Sequence, residues 1–90
     1  MDRAIYATRR FAGTWRVLDP RLRNRVIETI VALPSLISDP HRHTGYGVRQ
    51  LHGSAFWEAR LDLRWRLVFR LDHQEIILFD VMNHDQVRRL

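Results

Sequence analysis

Apolar and polar side chains alternate between Trp57 and Asp72 of this 90-residue sequence. The odd-numbered positions all carry apolar side chains, namely Trp57, Ala59, Leu61, Leu63, Trp65, Leu67, Phe69 and Leu71. Apart from Val68, the even-numbered positions carry charges, namely Glu58, Arg60, Asp62, Arg64, Arg66, Arg70 and Asp72. A period of two is typical of strands that bury one face and leave the other open. The pattern predicts a hairpin of strands Phe56–Leu61 and Trp65–Leu71 with arginines clustered on its open face.

The turn of this hairpin determines which arginines face each other. The apolar side keeps its odd parity across residues 62–64, which requires an odd number of loop residues. A three-residue loop pairs Leu61 with Trp65 and therefore places Arg60 opposite Arg66. Two like charges about 5 Å apart at Cβ destabilise a sheet unless an anion lies between them. We therefore predict an anion-binding face; the alternative is a solvated surface whose arginines are neutralised by nearby carboxylates.

Two segments before the hairpin have the spacing of amphipathic helices. The first is Thr8–Leu18, with Thr8 as its N-cap. The second begins at Asp19-Pro20, because Asp caps a helix and Pro is tolerated at its first position, and we expect it to end at Pro34. Together they predict an antiparallel helical hairpin, preceded by a short extended segment at Ala4–Ala7.

The rest of the chain predicts a loop and two further strands. Residues 34–47 contain two prolines and two glycines without periodicity, which is typical of a loop. Strands follow at Val48–Leu51 and Glu75–Met82, and the second is apolar on both faces, so we expect it inside the sheet. Asn83 or Asp85 is expected to cap a final helical turn.

These elements define a fold class. We predict an α+β fold in which two N-terminal helices pack on one face of a twisted, mostly antiparallel sheet of about four to five strands. A chain of this length forms one compact domain, so residues 1–90 are expected to fold as a single unit.

Composition narrows the class of partner. All 15 basic residues are Arg, the formal net charge is +5, and no cysteine is present. The planar fork of Arg grips phosphate or carboxylate, which favours RNA, DNA or an acidic protein. Without cysteine there is no disulfide or thiolate zinc site, which fits a reducing cytoplasm. The first residues lack the apolar core of a signal peptide, and no run of about 18 apolar residues occurs, so we expect a cytoplasmic protein without a membrane segment.

Four short segments carry a resemblance to a known family. They are Leu51-His52-Gly53, Phe56-Trp57-Glu58-Ala59-Arg60-Leu61, Trp65-Arg66-Leu67-Val68-Phe69 and Asn83-His84-Asp85. Set after two helices, they resemble the RelE/ParE superfamily of toxins from bacterial toxin–antitoxin pairs, over about residues 20–88. Among its branches, the chain is most similar to the RelE and YoeB toxins.

The resemblance implies a microbial ribonuclease-type fold that cuts messenger RNA in the ribosome. The ribose 2′-hydroxyl would attack the adjacent phosphate, so that no metal or organic cofactor is expected. Arg66 matches the sheet arginine that contacts the scissile phosphate, and Arg60 matches a basic position one strand over. His84 falls where YoeB-like members carry a catalytic histidine. His41 and His43 have no further ligand cluster beside them and are not expected to bind a metal.

The chain departs from the family pattern at three positions. Arg49 lies near the place where YoeB-like toxins carry a catalytic Glu, and Glu58 replaces a Lys of RelE-like toxins. Asp85 replaces the aromatic residue that often follows the terminal histidine. Glu58 shares the parity of Arg60, so we interpret it as the general base, the alternative being an ion-pair partner of Arg60.

Further arginines and one histidine are predicted near the same end of the sheet. These residues, predicted to contact RNA phosphates rather than read its sequence, are Arg49, His52, Arg88 and Arg89. The resemblance also implies partners: the ribosome with its messenger, and a cognate antitoxin whose acidic or amphipathic segment wraps the domain. Two other functions stay open: a ParE-like inhibitor of DNA gyrase without nuclease activity, and a catalytically silent binding module acting with its antitoxin.

Overall fold

The computed structural model describes residues 3–39 and 45–90. The strands are β1 (Ala4–Ala7), β2 (Arg49–Gln50), β3 (Phe56–Arg60), β4 (Trp65–Asp72) and β5 (Glu75–Asn83). The helices are α1 (Arg9–Val17), α2 (Pro20–Ser38) and α3 (His84–Val87). The predicted α+β class is confirmed, and His41 and His43 lie outside the described residues.

The five strands form one sheet in the order β1-β5-β4-β3-β2. β1 runs parallel to β5, and the other neighbours are antiparallel. The apolar strand β5 therefore lies inside the sheet, as predicted. Within β3 and β4, Arg60 pairs with Arg66, which confirms the register derived from the three-residue turn.

Capping side chains start both long helices where the sequence predicts. The hydroxyl of Thr8 accepts a hydrogen bond from the backbone N–H of Phe11, and the carboxylate of Asp19 accepts one from Leu22. Each bond satisfies a donor that the first helical turn leaves without a partner.

The predicted end of the second helix is wrong. α2 continues through Pro34 to Ser38, so the predicted loop over residues 34–47 begins later. Pro inside a helix removes one hydrogen bond and costs about 3 kcal/mol. Leu33 and Leu36 are fully buried and continue the stripe of Val26, and each buried Leu contributes about 1.5–3 kcal/mol. Burial on both sides of the proline therefore outweighs its local cost.

The odd-numbered side of the hairpin faces the helices. Ala59, Leu67 and Phe69 are fully buried in one cluster with Val26 and Leu33 of α2. This layer is the main core, and it leaves the other face of the sheet available for a site. No helix in residues 3–39 and 45–90 has the length and apolarity needed to cross a membrane.

The even-numbered face is only partly open, which corrects the prediction of an exposed cationic surface throughout. Val68, Met82 and Val87 form a second, smaller cluster there, because α3 folds back over the middle of the sheet. A register shift lies between Val68 and Phe69, where β5 carries one extra residue. Phe79, the extra residue, packs on Phe56 with ring centroids 4.7 Å apart.

Candidate functional site

Most of the predicted site residues converge at one end of the even-numbered face, where β2, β3, β4 and α3 meet. A cavity of about 310 Å³ opens there. Its lining residues are Gly47, Val48, Arg49, Glu58, Arg60, Arg66 and His84. The three guanidiniums and the one carboxylate of this lining together carry a net charge of +2. We call it the cationic cavity.

Glu58 holds two of these arginines. Its side chain is only 5% exposed; its Oε1 accepts a hydrogen bond from Nε of Arg49 at 2.7 Å, and its Oε2 lies 3.9 Å from Nε of Arg66. Arg49 is the cross-strand neighbour of Glu58, so the pairing of β2 with β3 creates this contact. Glu58 thus pairs with Arg49 and Arg66, and the alternative interpretation of an ion pair with Arg60 is wrong.

Arg66 is fixed from several directions. Its Nη1 donates to the backbone carbonyls of Asp62 at 2.7 Å and Trp65 at 3.0 Å. Its side chain is 11% exposed, although it belongs to the open face. An arginine held by two carbonyls and a carboxylate presents its remaining donors in one orientation, which suits recognition of a tetrahedral anion.

Arg60 lies against the backbone of Gly47. A Cβ atom at Gly47 would sit 3.5 Å from Cβ and 3.6 Å from Nε of Arg60, and Gly47 has a φ of +56°. Within residues 3–39 and 45–90, Arg60 has no carboxylate within 4.0 Å. The charge of Arg60 is therefore available to a ligand. This agrees with the prediction that an anion lies between the facing Arg60 and Arg66.

The segment that carries Gly47 is anchored from the helix side. The guanidinium of Arg25 stacks over the ring of Tyr46, 4.7 Å from its centroid, and its Nε donates to the carbonyl of Leu61 at 2.9 Å. Arg25 of α2 thereby connects the segment before β2 with the residue that follows β3.

His84 is the first residue of α3. Asn83 and Gln86 form a reciprocal capping box, which satisfies the free N–H groups at the start of so short a helix. The backbone N–H of His84 also donates to the carbonyl of Arg64 at 2.9 Å. These bonds fix the backbone of His84, and this half-buried residue lines the cationic cavity.

A second cavity of about 340 Å³ adjoins the first, and Arg49, Glu58 and His84 line both. His52 and Arg88, two of the predicted RNA contacts, line this second cavity, whereas the exposed Arg89 lines neither. Sequence reasoning missed six other lining residues, namely Gly47, Val48, Leu51, Ser54, Val87 and Leu90. The loop with two glycines was a signal for Gly47, but nothing in the sequence distinguished the other five as cavity residues.

A metal centre is not built from the described side chains. In residues 3–39 and 45–90, no group of three or more His, Cys, Asp or Glu side chains is arranged to hold a metal ion. The cavity lining supplies guanidiniums, which can bind an anion, and one imidazole, which can transfer a proton.

The fold is shared with solved toxins. The sequence matches no protein-family model and no curated protein. A chain of the E. coli DinJ-YafQ toxin–antitoxin complex is similar, with a TM-score of 0.77, 16% identity and coverage of 97% of this chain and 98% of that one. The archaeal RelE-RelB complex from Pyrococcus horikoshii OT3 gives a TM-score of 0.68 at 16% identity, covering 92% and 96%. The RelBE2 complex from Mycobacterium tuberculosis gives 0.67 at 22% identity, covering 93% and 100%.

These likenesses define the class of structure: an open mixed sheet with two long helices on one face, as in toxins of toxin–antitoxin complexes. More particularly, the chain has the RelE and YafQ fold over nearly its whole length. The predicted resemblance to the RelE/ParE group is thus confirmed for the fold.

Proposed function

We propose that this protein is the toxin of a toxin–antitoxin pair and cleaves messenger RNA on the ribosome. The observation that carries the proposal is the cationic cavity, in which Arg49, Arg60, Arg66 and His84 meet on a RelE-like fold. A solvated arginine face would not fix Arg66 by two carbonyls and a carboxylate.

The cavity suits phosphoryl transfer by an internal nucleophile. When a ribose 2′-hydroxyl attacks the adjacent phosphate, negative charge grows on the phosphorane oxygens, and preorganised cations stabilise that charge. Arg66 and Arg60, opposite each other on neighbouring strands, provide these cations. Because the nucleophile belongs to the RNA and the cations are side chains, the reaction needs no metal or organic cofactor.

Proton transfer is assigned to His84. Its imidazole lines the cavity from the α3 side, where it can protonate the leaving 5′-oxygen or accept the 2′-proton. Glu58 is less suited to the role of base, because its carboxylate is buried and already bonded to Arg49 and near Arg66. We assign Glu58 to holding these two arginines in position.

A basic toxin of this kind requires a neutralising partner. The similar solved chains come from complexes with DinJ and RelB antitoxins, and the net charge of +5 favours an acidic segment on the partner. We propose a cognate antitoxin with an acidic or amphipathic segment that covers the cationic cavity, and a cytoplasmic location for both.

The test is induced expression in a bacterium, with mapping of messenger 5′ ends and a gyrase supercoiling assay on the purified protein. New ends at consistent codon positions on translated messages would support the nuclease. Intact messages with lost supercoiling would move the protein to the gyrase inhibitors, and neither effect would leave a binding module.

A further inference from the structure

The segment that connects β3 to β4, residues 61–64, supplies backbone acceptors to the residues of the cationic cavity. The carbonyl of Asp62 accepts a hydrogen bond from Nη1 of Arg66 at 2.7 Å. The carbonyl of Arg64 accepts one from the backbone N–H of His84 at 2.9 Å. The arginine proposed to bind phosphate and the first residue of α3 therefore both depend on the conformation of this turn.

A third carbonyl of the turn supports the loop beside Arg60. The carbonyl of Leu61 accepts a hydrogen bond from Nε of Arg25 at 2.9 Å, and the guanidinium of Arg25 stacks over the ring of Tyr46. Tyr46 precedes Gly47, whose backbone lies against Arg60. The turn is therefore also connected, through Arg25, to the loop that contacts the second phosphate arginine.

The side chain of Asp62 closes the turn. Its Oδ1 accepts hydrogen bonds from the backbone N–H of Arg64 at 2.8 Å and from that of Trp65 at 2.7 Å. Asp side chains commonly fix turns in this way, by bonding the backbone two residues further on. Without this carboxylate, backbone hydrogen bonds to the carbonyl of Trp65 would be left to close the turn.

The charge of Asp62 has no comparable use within the fold. The residue is exposed, and no positively charged side chain in residues 3–39 and 45–90 lies within 4.0 Å of its carboxylate. A negative charge near a cationic cavity opposes the binding of an anion there. The hydrogen bonds of Asp62, and not its charge, therefore contribute to the site.

We infer that Asp62 is a positioning residue for RNA cleavage: it fixes the β3–β4 turn, whose carbonyls hold Arg66 and His84 in place. The inference rests on the proposed function and deepens it. Cations and proton donors stabilise a transition state only when their geometry is fixed before the reaction. Asp62 provides part of this geometry from outside the cavity, since it is not among the cavity's lining residues.

The experiment compares Asp62→Ala with Asp62→Asn, which loses the charge but keeps an acceptor at Oδ1. Single-turnover cleavage on programmed ribosomes should fall by about 10² in Asp62→Ala, the cost of a small misplacement of reacting groups, and should be nearly unchanged in Asp62→Asn. The affinity of the purified protein for inorganic phosphate, followed by NMR chemical shifts, should decrease severalfold in Asp62→Ala alone. An effect of charge would have the opposite sign, because both variants would bind phosphate more tightly.

Hydrogen exchange at the backbone N–H of His84 gives a local readout, because this group bonds to the carbonyl of Arg64. The exchange should become faster in Asp62→Ala and stay as it is in Asp62→Asn. Thr8→Ala is the matched control, because it also removes a side-chain acceptor of a backbone N–H, that of Phe11 at the start of α1. It should lower thermal stability without changing phosphate affinity, cleavage or exchange at His84.

Three results would overturn the positioning role. They are an Asp62→Ala variant that cleaves at the full rate, an Asp62→Asn variant as impaired as Asp62→Ala, and an equal loss of cleavage in Thr8→Ala. Should Asp62→Ala not fold, Asp62→Glu takes its place, because it keeps the charge and displaces the carboxylate from the turn. It should then show the losses expected of Asp62→Ala, and full activity in Asp62→Glu would count against the role.

The phosphate titration and the exchange measurement need no ribosome, so the two proposals fail separately. If Asp62→Ala loses phosphate affinity while the unchanged protein cleaves no messenger, the nuclease is wrong and the support of Arg66 by the turn stands. If the unchanged protein and Asp62→Ala cleave messenger equally well, the nuclease stands and the positioning role is wrong.

Discussion

Two arginines of β4, Arg66 and Arg70, lie on the same face of the sheet but in different surroundings. Arg66 is 11% exposed and bonds two carbonyls beside the carboxylate of Glu58. Arg70 is exposed, and it makes no side-chain hydrogen bond or ion pair with any residue in 3–39 or 45–90. A charged side chain on this face is therefore not enough to identify the site. Arg66 differs from Arg70 because its guanidinium is held in place at the wall of a cavity.

The comparison extends to Arg10 of α1. Arg10 pairs with Asp80 of β5 at 2.7 Å and stacks over the ring of Phe79 at 4.8 Å, so its charge is neutralised within the fold. At the cationic cavity, one carboxylate faces three guanidiniums. The cationic cavity therefore keeps an excess of positive charge where β2 and α3 meet the hairpin, which favours an anionic ligand there.

The largest effect is expected from Arg66→Ala. Removal of one preorganised donor to a developing anion costs about 10²–10³ in rate, so induced expression should no longer inhibit growth and messenger cleavage should fall by about 10³. The free energy of unfolding should decrease by only about 1–3 kcal/mol, because Glu58 keeps Arg49 as a partner.

Arg70→Ala is the matched control, on the same strand and face, and should keep full activity. Thermal unfolding of both variants separates loss of fold from loss of the site. Equal loss of activity in the two variants would mean that the arginines act through general charge, and an unfolded Arg66→Ala would make its role structural.

His84→Gln should slow cleavage by about 10², the lower range for removal of a general acid or base. Glutamine keeps a polar side chain but cannot transfer a proton at an imidazole, so binding to the ribosome should not change. Single-turnover cleavage on programmed ribosomes, beside a ribosome pelleting assay, measures the two properties. Unchanged cleavage would remove His84 from the mechanism.

The sequence predicted the hairpin register and the helix starts, because both depend on residues close together along the chain. The period of two and the parity across residues 62–64 were enough to place Arg60 opposite Arg66. Thr8 and Asp19 marked the starts of both helices, because a cap is a contact across three residues. The resemblance then pointed to Arg66, Arg60 and His84, which the fold brings to one cavity.

The features that the sequence did not predict depend on contacts between residues that are far apart along the chain. The helix continues past Pro34 because Leu36 finds a buried place in the tertiary core. Glu58 meets Arg49 only because β2 lies beside β3, a pairing between short strands that no local pattern specifies. Val68 is buried because Val87 of α3 packs over it. The alternation of charged and apolar residues along β4 does not predict this contact, because α3 lies in another part of the chain.

Glu58→Gln should have a smaller effect than His84→Gln, a decrease in cleavage of about tenfold. Glutamine keeps the shape of the side chain and one acceptor for Arg49, but it weakens the hold on both arginines. A positioning role predicts that the pH profile of the remaining activity keeps its shape and that Glu58→Asp recovers part of the rate. Loss of activity as large as in His84→Gln, with an altered profile, would make Glu58 the general base after all.

Gly47→Ala should give the smallest effect, and Gly45→Ala is its matched control. Gly47 has a φ of +56° and would place a Cβ atom 3.5 Å from Cβ of Arg60, whereas a Cβ at Gly45 meets nothing within 4 Å. A side chain in the left-handed region costs about 1 kcal/mol, so Gly47→Ala should lower the free energy of unfolding by about that amount and Gly45→Ala should not. Because relief of this backbone strain would move a loop that contacts Arg60, cleavage should fall severalfold in Gly47→Ala alone. If both variants cleave like the unchanged protein, the contact between Arg60 and this loop has no part in placing the phosphate.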